Sequence, residues 1–274
     1  MGVWFITGSS TGFGRVLADE LLAEGQLVVA TARRPEVLQS LSDEFGERVL
    51  TTALDVTDEA SIAAAVEAAI ATFGRIDVVV NNAGFGAVGA IEEFTDAEVR
   101  HQYDTNVFGA LNVIRHTVPV LRAQGSGHIL NITSVAGHRS RPGFGLYSST
   151  KFALEAIGEA LYHELQPLGI NVTNVEPGGF RTDFAGRSLL RAAAENPAYT
   201  ETAHANIAWI NEVNGKQPGD PSKAARAMID LVTMVNPPLR LPLGKDSLAG
   251  IRAKLAEVTA DLDRMEAVAS STDC

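Results

Sequence analysis

Short apolar runs rich in Val, Ile and Leu alternate along this chain with longer stretches whose apolar positions recur at helical spacing. The short runs fall at residues 3–7, 27–31, 49–53, 78–81, 128–133 and 171–175, and each predicts a strand. Their apolar character is continuous, as in Val78-Val79-Val80, which suits strands covered on both faces. Between them the pattern predicts helices over 14–24, 36–45, 59–73, 96–122 and 148–165, with Asp58 and Asp96 as N-caps or first-turn acids. Strand and helix in alternation imply an α/β fold, a Rossmann-type doubly wound parallel sheet with crossover helices. No repeat or low-complexity linker interrupts the pattern, so residues 1–274 are expected to form one domain.

After Pro177 the rhythm changes. Residues 180–219 mix small polar residues with Phe184, Leu189, Leu190, Tyr199, Ile207 and Trp209 in no regular period. Such a segment beside the strand tops reads as a substrate lid, the plainer alternative being a solvated loop with its own small cluster. Gly219-Asp220-Pro221 then opens a predicted helix over 222–235. A last strand covers 239–243, and an extension over 245–274 holds a helix and a charged tail.

Composition narrows the classes of function. Lys and Arg number 22 against 33 Asp and Glu, a net charge of -11, which disfavours a nucleic-acid partner. No apolar run reaches the roughly 18 residues of a membrane span. Residues 1–6 run straight into a strand with no basic region or cleavage site, so a cytoplasmic location is expected. Cys274 is the only cysteine, which excludes an internal disulfide. His101, His116, His128, His138, His163 and His204 show no metal-ligand spacing; they read as surface or packing residues, and no metal is expected.

Residues able to do chemistry collect at the predicted strand ends, where ligands bind in open parallel sheets. Gly8, Ser10, Gly12, Phe13 and Gly14 lie in a glycine-rich turn between the first strand and first helix. Gly8 permits the tight turn, Gly12 a close backbone approach to a pyrophosphate, and Gly14 close helix–strand packing. Arg33 ends the second strand where an NAD-preferring site would carry a carboxylate; with Arg34 it suits a 2′-phosphate, or both are solvated surface arginines. Asp55 and Val56 follow the third strand, where Asp55 could accept from adenine N6 or cap the next helix. Asn82, Ala83 and Gly84 follow the fourth and leave room for ribose or nicotinamide. Pro177 and Gly178 end the sixth, and Thr182 could bond a carboxamide.

Four residues apart on a helix, Tyr147 and Lys151 project from one face. A phenol titrates near pH ~10, and a fixed cation beside it lowers that value, which suits proton exchange with an alcohol or carbonyl. Ser134, at the end of the fifth strand, could donate to a carbonyl oxygen. Phe144, Leu146, Tyr199 and Trp209 could line a pocket or simply pack.

Taken in order, the Thr7–Gly14 turn, Asp55, 81–84, Asn106, Ser134, Tyr147 with Lys151, and 177–182 resemble the classical short-chain dehydrogenase/reductases. Arg33 and the run 239–244 look most like the hydroxysteroid-dehydrogenase-like branch. The resemblance implies that Asn106 kinks a long helix and holds a water, and that Ser134 orients the carbonyl. It implies that Tyr147 transfers the proton, while Lys151 binds the nicotinamide ribose and lowers the tyrosine pKa. The expected cofactor is NADP, with NAD possible because Thr11 stands where some NADP-preferring members carry a second basic residue. The expected substrate is an apolar secondary alcohol or its ketone, or an acid recruited by Arg181, Arg187 and Arg191; a homodimer or homotetramer follows the family habit. The alternative is a catalytically silent NADP-binding regulator or scaffold.

Overall fold

The computed structural model describes residues 1–186 and 188–273, Ala185 by its backbone alone; Arg187 and Cys274 lie outside the described residues. Seven parallel strands form the sheet: β1 (Val3–Ile6), β2 (Leu27–Ala32), β3 (Val49–Ala53), β4 (Val78–Asn81), β6 (Gly127–Ile132), β7 (Ile170–Pro177) and β9 (Arg240–Leu243). Their spatial order is β3-β2-β1-β4-β6-β7-β9. The chain winds outward from β1 in one direction and from β4 in the other, so a crevice opens at their carboxyl ends.

Side chains of a strand alternate between faces, and here both faces are buried. Trp4, Ile6, Val28, Val78 and Leu130 pack beneath α1 (Gly12–Ala23) and α8 (Pro221–Val232). Val3, Phe5, Val29, Val79 and Ile129 pack on the other face against α3 (Glu59–Phe73) and α5 (Gly109–Gln124). This double coverage explains why the strands read as unbroken apolar runs.

Several elements differ from expectation. The helix expected over 96–122 is broken: α4 (Asp96–Tyr103) meets α5 through a π-helical turn, Asp104–Phe108. Thr95 caps α4, its hydroxyl accepting from Glu98 N–H while the Glu98 carboxylate accepts from Thr95 N–H, and Asp96 takes the other of its two expected roles, a first-turn acid. The helix expected over 36–45 starts as a 3₁₀ turn, Pro35–Leu38, before α2 (Gln39–Phe45). The charged tail is no tail, because α9 continues from Lys245 to Ser270.

The insertion at 180–219 is partly ordered. Its ends meet in a bridge between Phe180 and Gly219. Inside it, β8 (Leu189–Arg191) pairs with β5 (Gly86–Val88), and α7 (Ala205–Val213) follows two short helical turns.

Candidate active site

One cavity of about 840 Å³ occupies the crevice above β1 and β4. Gly8, Ser10, Gly12, Phe13, Arg33, Asp55, Val56, Asn82, Ala83, Gly84, Ser134, Tyr147, Lys151, Pro177, Gly178 and Thr182 all line it. Of the expected site residues, only Gly14 and Asn106 lie behind its wall.

The glycine turn is shaped by contacts that side chains would block. Gly8 and Gly12 adopt left-handed backbone, φ 71° and 60°, which favours glycine. A Cβ on Gly14 would fall 2.5 Å from Asn82 Nδ2 and 2.6 Å from the Gly8 carbonyl. Asn82 therefore acts chiefly as a brace, its amide donating to the carbonyls of Thr7 and Gly8 at 2.9 Å each. Thr7 Oγ1 accepts in turn from the N–H groups of Asn82 and Ala83. Turn and β4 loop are thus one rigid unit, with the amino end of α1 facing the cavity.

Arg33 is exposed at the β2 side of the cavity, whereas Arg34 is exposed and does not reach it. Asp55 does not cap α3; that role falls to Asp58, which accepts from Ala60 N–H at 3.0 Å. Asp55 instead accepts from Thr57 N–H and Oγ1 at 2.9 and 2.7 Å. Burial pushes its carboxyl up, but these bonds and Arg33 outweigh it and hold the pKa below the usual range.

Tyr147 and Lys151 lie on α6 (Gly145–Leu165), both buried. Lys151 Nζ donates to the Ile132 carbonyl at 2.8 Å and stands 5.7 Å from the centre of the Tyr147 ring. Burial lowers the ammonium pKa to about 8, while Glu155, one turn further along α6, works against that fall. The expected depression of the phenol pKa is not present: burial pushes Tyr147 upward, against a hydrogen bond with Ser134 that pulls it down. Ser134 also accepts from Ala136 N–H at 3.1 Å, which fixes its hydroxyl beside the phenol.

Asn106 lies in the π-helical turn, so the expected kink is there. Its side-chain amide is engaged with protein. Oδ1 accepts from Phe85 N–H at 3.1 Å, and Nδ2 donates to the Phe85 carbonyl at 2.9 Å and to Thr150 Oγ1 at 3.2 Å. Asn106 therefore ties Phe85, a wall residue, to the helix that carries Tyr147.

Phe144, Phe184, Leu189, Leu190, Trp209 and Ile210 form an apolar wall. Phe184 and Tyr147 rings are 5.3 Å apart. Leu146 and Tyr199, left open by the sequence, do not line the cavity. Neither does Arg181, bonded to the Gln217 and Pro218 carbonyls, nor Arg191, bonded to Asn211; Arg187 is outside the described residues. Besides Arg33, the cavity is lined by Arg139 and Arg141, which come from the loop before Tyr147 and carry no periodic signal. Asp246 was also missed. It accepts from Gly179 N–H at 2.7 Å and occupies the space that a Cβ on Gly178 would need.

No metal spacing is legible in the sequence, yet the fold gathers ligand atoms of His138, Glu155 and Glu176 within 4.8 Å of one another. His138 Nε2 lies 3.0 Å from Glu176, and the Arg240 guanidinium stands 3.6–3.9 Å from both carboxylates. A cation is already supplied there by the protein.

Comparison with known proteins agrees with this geometry. The short chain dehydrogenase family model matches residues 2–191. Oxidoreductase BOA17 of Botryotinia fuckeliana is 39% identical over 262 residues, covering 95% of each chain. A 3-ketodihydrosphingosine reductase of Bacteroides thetaiotaomicron is 38% identical over 242 residues, covering 87% of this chain and 86% of its own. Among solved structures, a short-chain dehydrogenase from Streptomyces avermitilis superposes with a TM-score of 0.93 at 41% identity, covering 100% of both chains. An alcohol dehydrogenase from Thermococcus sibiricus, complexed with 5-hydroxy-NADP, superposes with a TM-score of 0.73 at 26% identity, covering 89% of this chain and 96% of that one. The chain belongs to the short-chain dehydrogenase family and is an NAD(P)-dependent oxidoreductase of that family.

Proposed function

We propose that this protein is an NADP(H)-dependent oxidoreductase that interconverts an apolar secondary alcohol and its ketone, with Tyr147 as the acid/base. The observation that carries the reading is a single cavity with Arg33 on its β2 side, Ser134, Tyr147 and Lys151 on its β6 side, and an apolar wall from the insertion.

The residues fit a nicotinamide dinucleotide. The glycine turn and the amino end of α1 would hold the pyrophosphate, and Arg33 the 2′-phosphate. Ala83 and Gly84 would bed the ribose, Thr182 would bond the carboxamide, and Lys151 would donate to the ribose hydroxyls. The bound cofactor would supply or accept the hydride.

Ser134 donates to the substrate oxygen and fixes the carbonyl. Tyr147 gives its proton to that oxygen during reduction and takes it back during oxidation. Burial, which holds the proton on Tyr147, favours its role as the acid; charge developing on the substrate and the nearby ammonium would ease the transfer. The Thermococcus enzyme's bound 5-hydroxy-NADP and the Bacteroides enzyme's name, 3-ketodihydrosphingosine reductase, support cofactor and substrate class alike. Thr11 in the glycine turn is compatible with some NAD use.

A panel of ketones of increasing apolar size, neutral and carboxylated, followed by NADPH and NADH absorbance, tests the reading. Rising kcat/KM with apolar size and a preference for NADPH are expected. Preference for small or carboxylated ketones would overturn the substrate class and point to Arg139 and Arg141.

A further inference from the structure

Helix α9 carries an apolar seam that its own chain leaves exposed except at the half-buried Ile251. Leu248, Ile251, Leu255, Val258, Leu262, Met265 and Ala269 recur at alternating steps of three and four, the a and d positions of about three heptads. From Leu255 to Ser270 every residue is exposed, Leu262 at 66%. A lone helical segment of this length is marginal in water, because most helical stability comes from packing an apolar face.

We propose that α9 pairs with α9 of a second copy of this chain as an antiparallel two-stranded coiled coil. The register follows from the sequence. Setting Leu255 against Val258 of the second copy also sets Ile251 against Leu262 and Leu248 against Met265, so the apolar seam from 248 to 265 is covered. The pairing is its own mirror under a two-fold axis, as an isologous contact requires.

Flanking charges choose the orientation. In this antiparallel register the g positions place Lys254 against Asp261 of the second copy, and the e positions place Lys245 against Glu266. Each attraction occurs twice by symmetry. A parallel pairing would instead set Asp261 against Glu266 and leave Lys254 facing Thr259, which trades attraction for repulsion. Within the monomer Lys254 bonds Glu257 at 2.8 Å and Asp261 bonds Arg264 at 2.7 Å. Such exposed pairs contribute little, so both charges are free to exchange partners.

The charge balance also speaks against a lipid surface. Interfacial helices carry a basic polar face, but here Lys245, Arg252, Lys254 and Arg264 are offset by Asp246, Glu257, Asp261, Asp263 and Glu266. The whole chain carries a net charge of -11. A second copy answers both the seam and the charges.

Sedimentation equilibrium of the full chain tests the proposal. Lys254→Glu and Asp261→Lys should each weaken self-association, by about tenfold for two attractions turned to repulsions. Mixing the two single variants should restore it, because the heterodimer again sets opposite charges against each other. Leu255→Glu with Leu262→Glu should halve the particle mass while circular dichroism and cofactor binding show a folded chain. Tighter association of Asp261→Lys alone would indicate the parallel pairing and overturn the register. A monomeric wild type, a mass unmoved by the Leu255 and Leu262 changes, or binding to anionic phospholipid vesicles without self-association would overturn the proposal.

Discussion

The half-buried Ser134 hydroxyl bonds the buried Tyr147 phenol beside the Lys151 ammonium, so losing one group there should be specific in its effect. Tyr147→Phe removes the proposed proton donor but keeps the ring against Phe184. Turnover is expected to fall at least about 100-fold, within the ~10²–10⁴ range of acid–base catalysis, with NADPH affinity retained. Steady-state rates and a fluorescence titration check this; more than about a tenth of wild-type kcat would remove Tyr147 from the role. At the other side of the cavity, Arg33→Asp should reverse the proposed NADPH over NADH preference, since it adds repulsion as well as removing attraction. Loss of a charge-assisted bond of about 1.5–3 kcal/mol corresponds to roughly ten- to a hundredfold in affinity. Equal weakening of both cofactors would make Arg33 structural. At this scale the sequence exposed residue types and order but not which atoms were already engaged. Asn82 is drawn as a cofactor contact by its place at a strand end, and the resemblance gives Asn106 a water to hold, whereas their amides brace the glycine turn and Phe85. The phenol pKa followed burial, which a motif cannot report.

Elements were legible where one period ran long enough. The buried strands and α1, α3 and α6 declare themselves through apolar runs and 3.6-residue spacing. The π-helical turn at Asp104–Phe108 leaves that spacing almost unchanged while shifting the helix face, so 96–122 reads as one helix. β5 and β8 are three residues each, too short for any period to show. The histidines read as surface or packing residues, and the packed His128 shows what packing costs. On β6 it is buried, its Nε2 donating to Thr173 Oγ1, which itself donates to the Pro238 carbonyl; its Nδ1 has no partner among the described residues. Burial lowers its pKa to about 4. The unfolded chain binds this proton below about pH 6.5 and the folded chain only near pH 4, so stability is lost as pH falls between those values. By pH 5 the loss through this one group should be about 2 kcal/mol. Urea unfolding at pH 7.5 and pH 5 should show His128→Leu with a shallower dependence than the wild type; parallel curves would refute the assignment.

At the scale of the molecule, alternation of strand and helix revealed the sheet, and turn residues revealed where the crevice opens. The insertion was legible only by its ends and composition, because its fold depends on partners far away in sequence. Glu93 is the clearest of these. It lies more than a hundred residues before its partners in the insertion, is buried, and accepts from Ala90 N–H, Asn196 N–H and His204 Nε2, each at 2.7 Å. Burial raises its pKa, but these bonds outweigh burial and hold it below the usual carboxylate range, so it is charged at neutral pH. Glu98 adds a bond to Ala193 N–H at 3.1 Å. Two acids beside α4 thus fasten a segment that also supplies Leu189, Leu190 and Trp209 to the cavity wall. Glu93→Ala would release the insertion without touching the glycine turn or Tyr147. The KM for large apolar ketones is expected to rise about tenfold or more, as loss of bonds to a charged group of about 1.5–3 kcal/mol each implies, with smaller change in kcat and unchanged NADPH affinity. Limited proteolysis should cut faster between residues 190 and 215. Unaltered KM and cleavage would mean that the β5–β8 pairing and the Phe180–Gly219 bridge hold the insertion in place without Glu93.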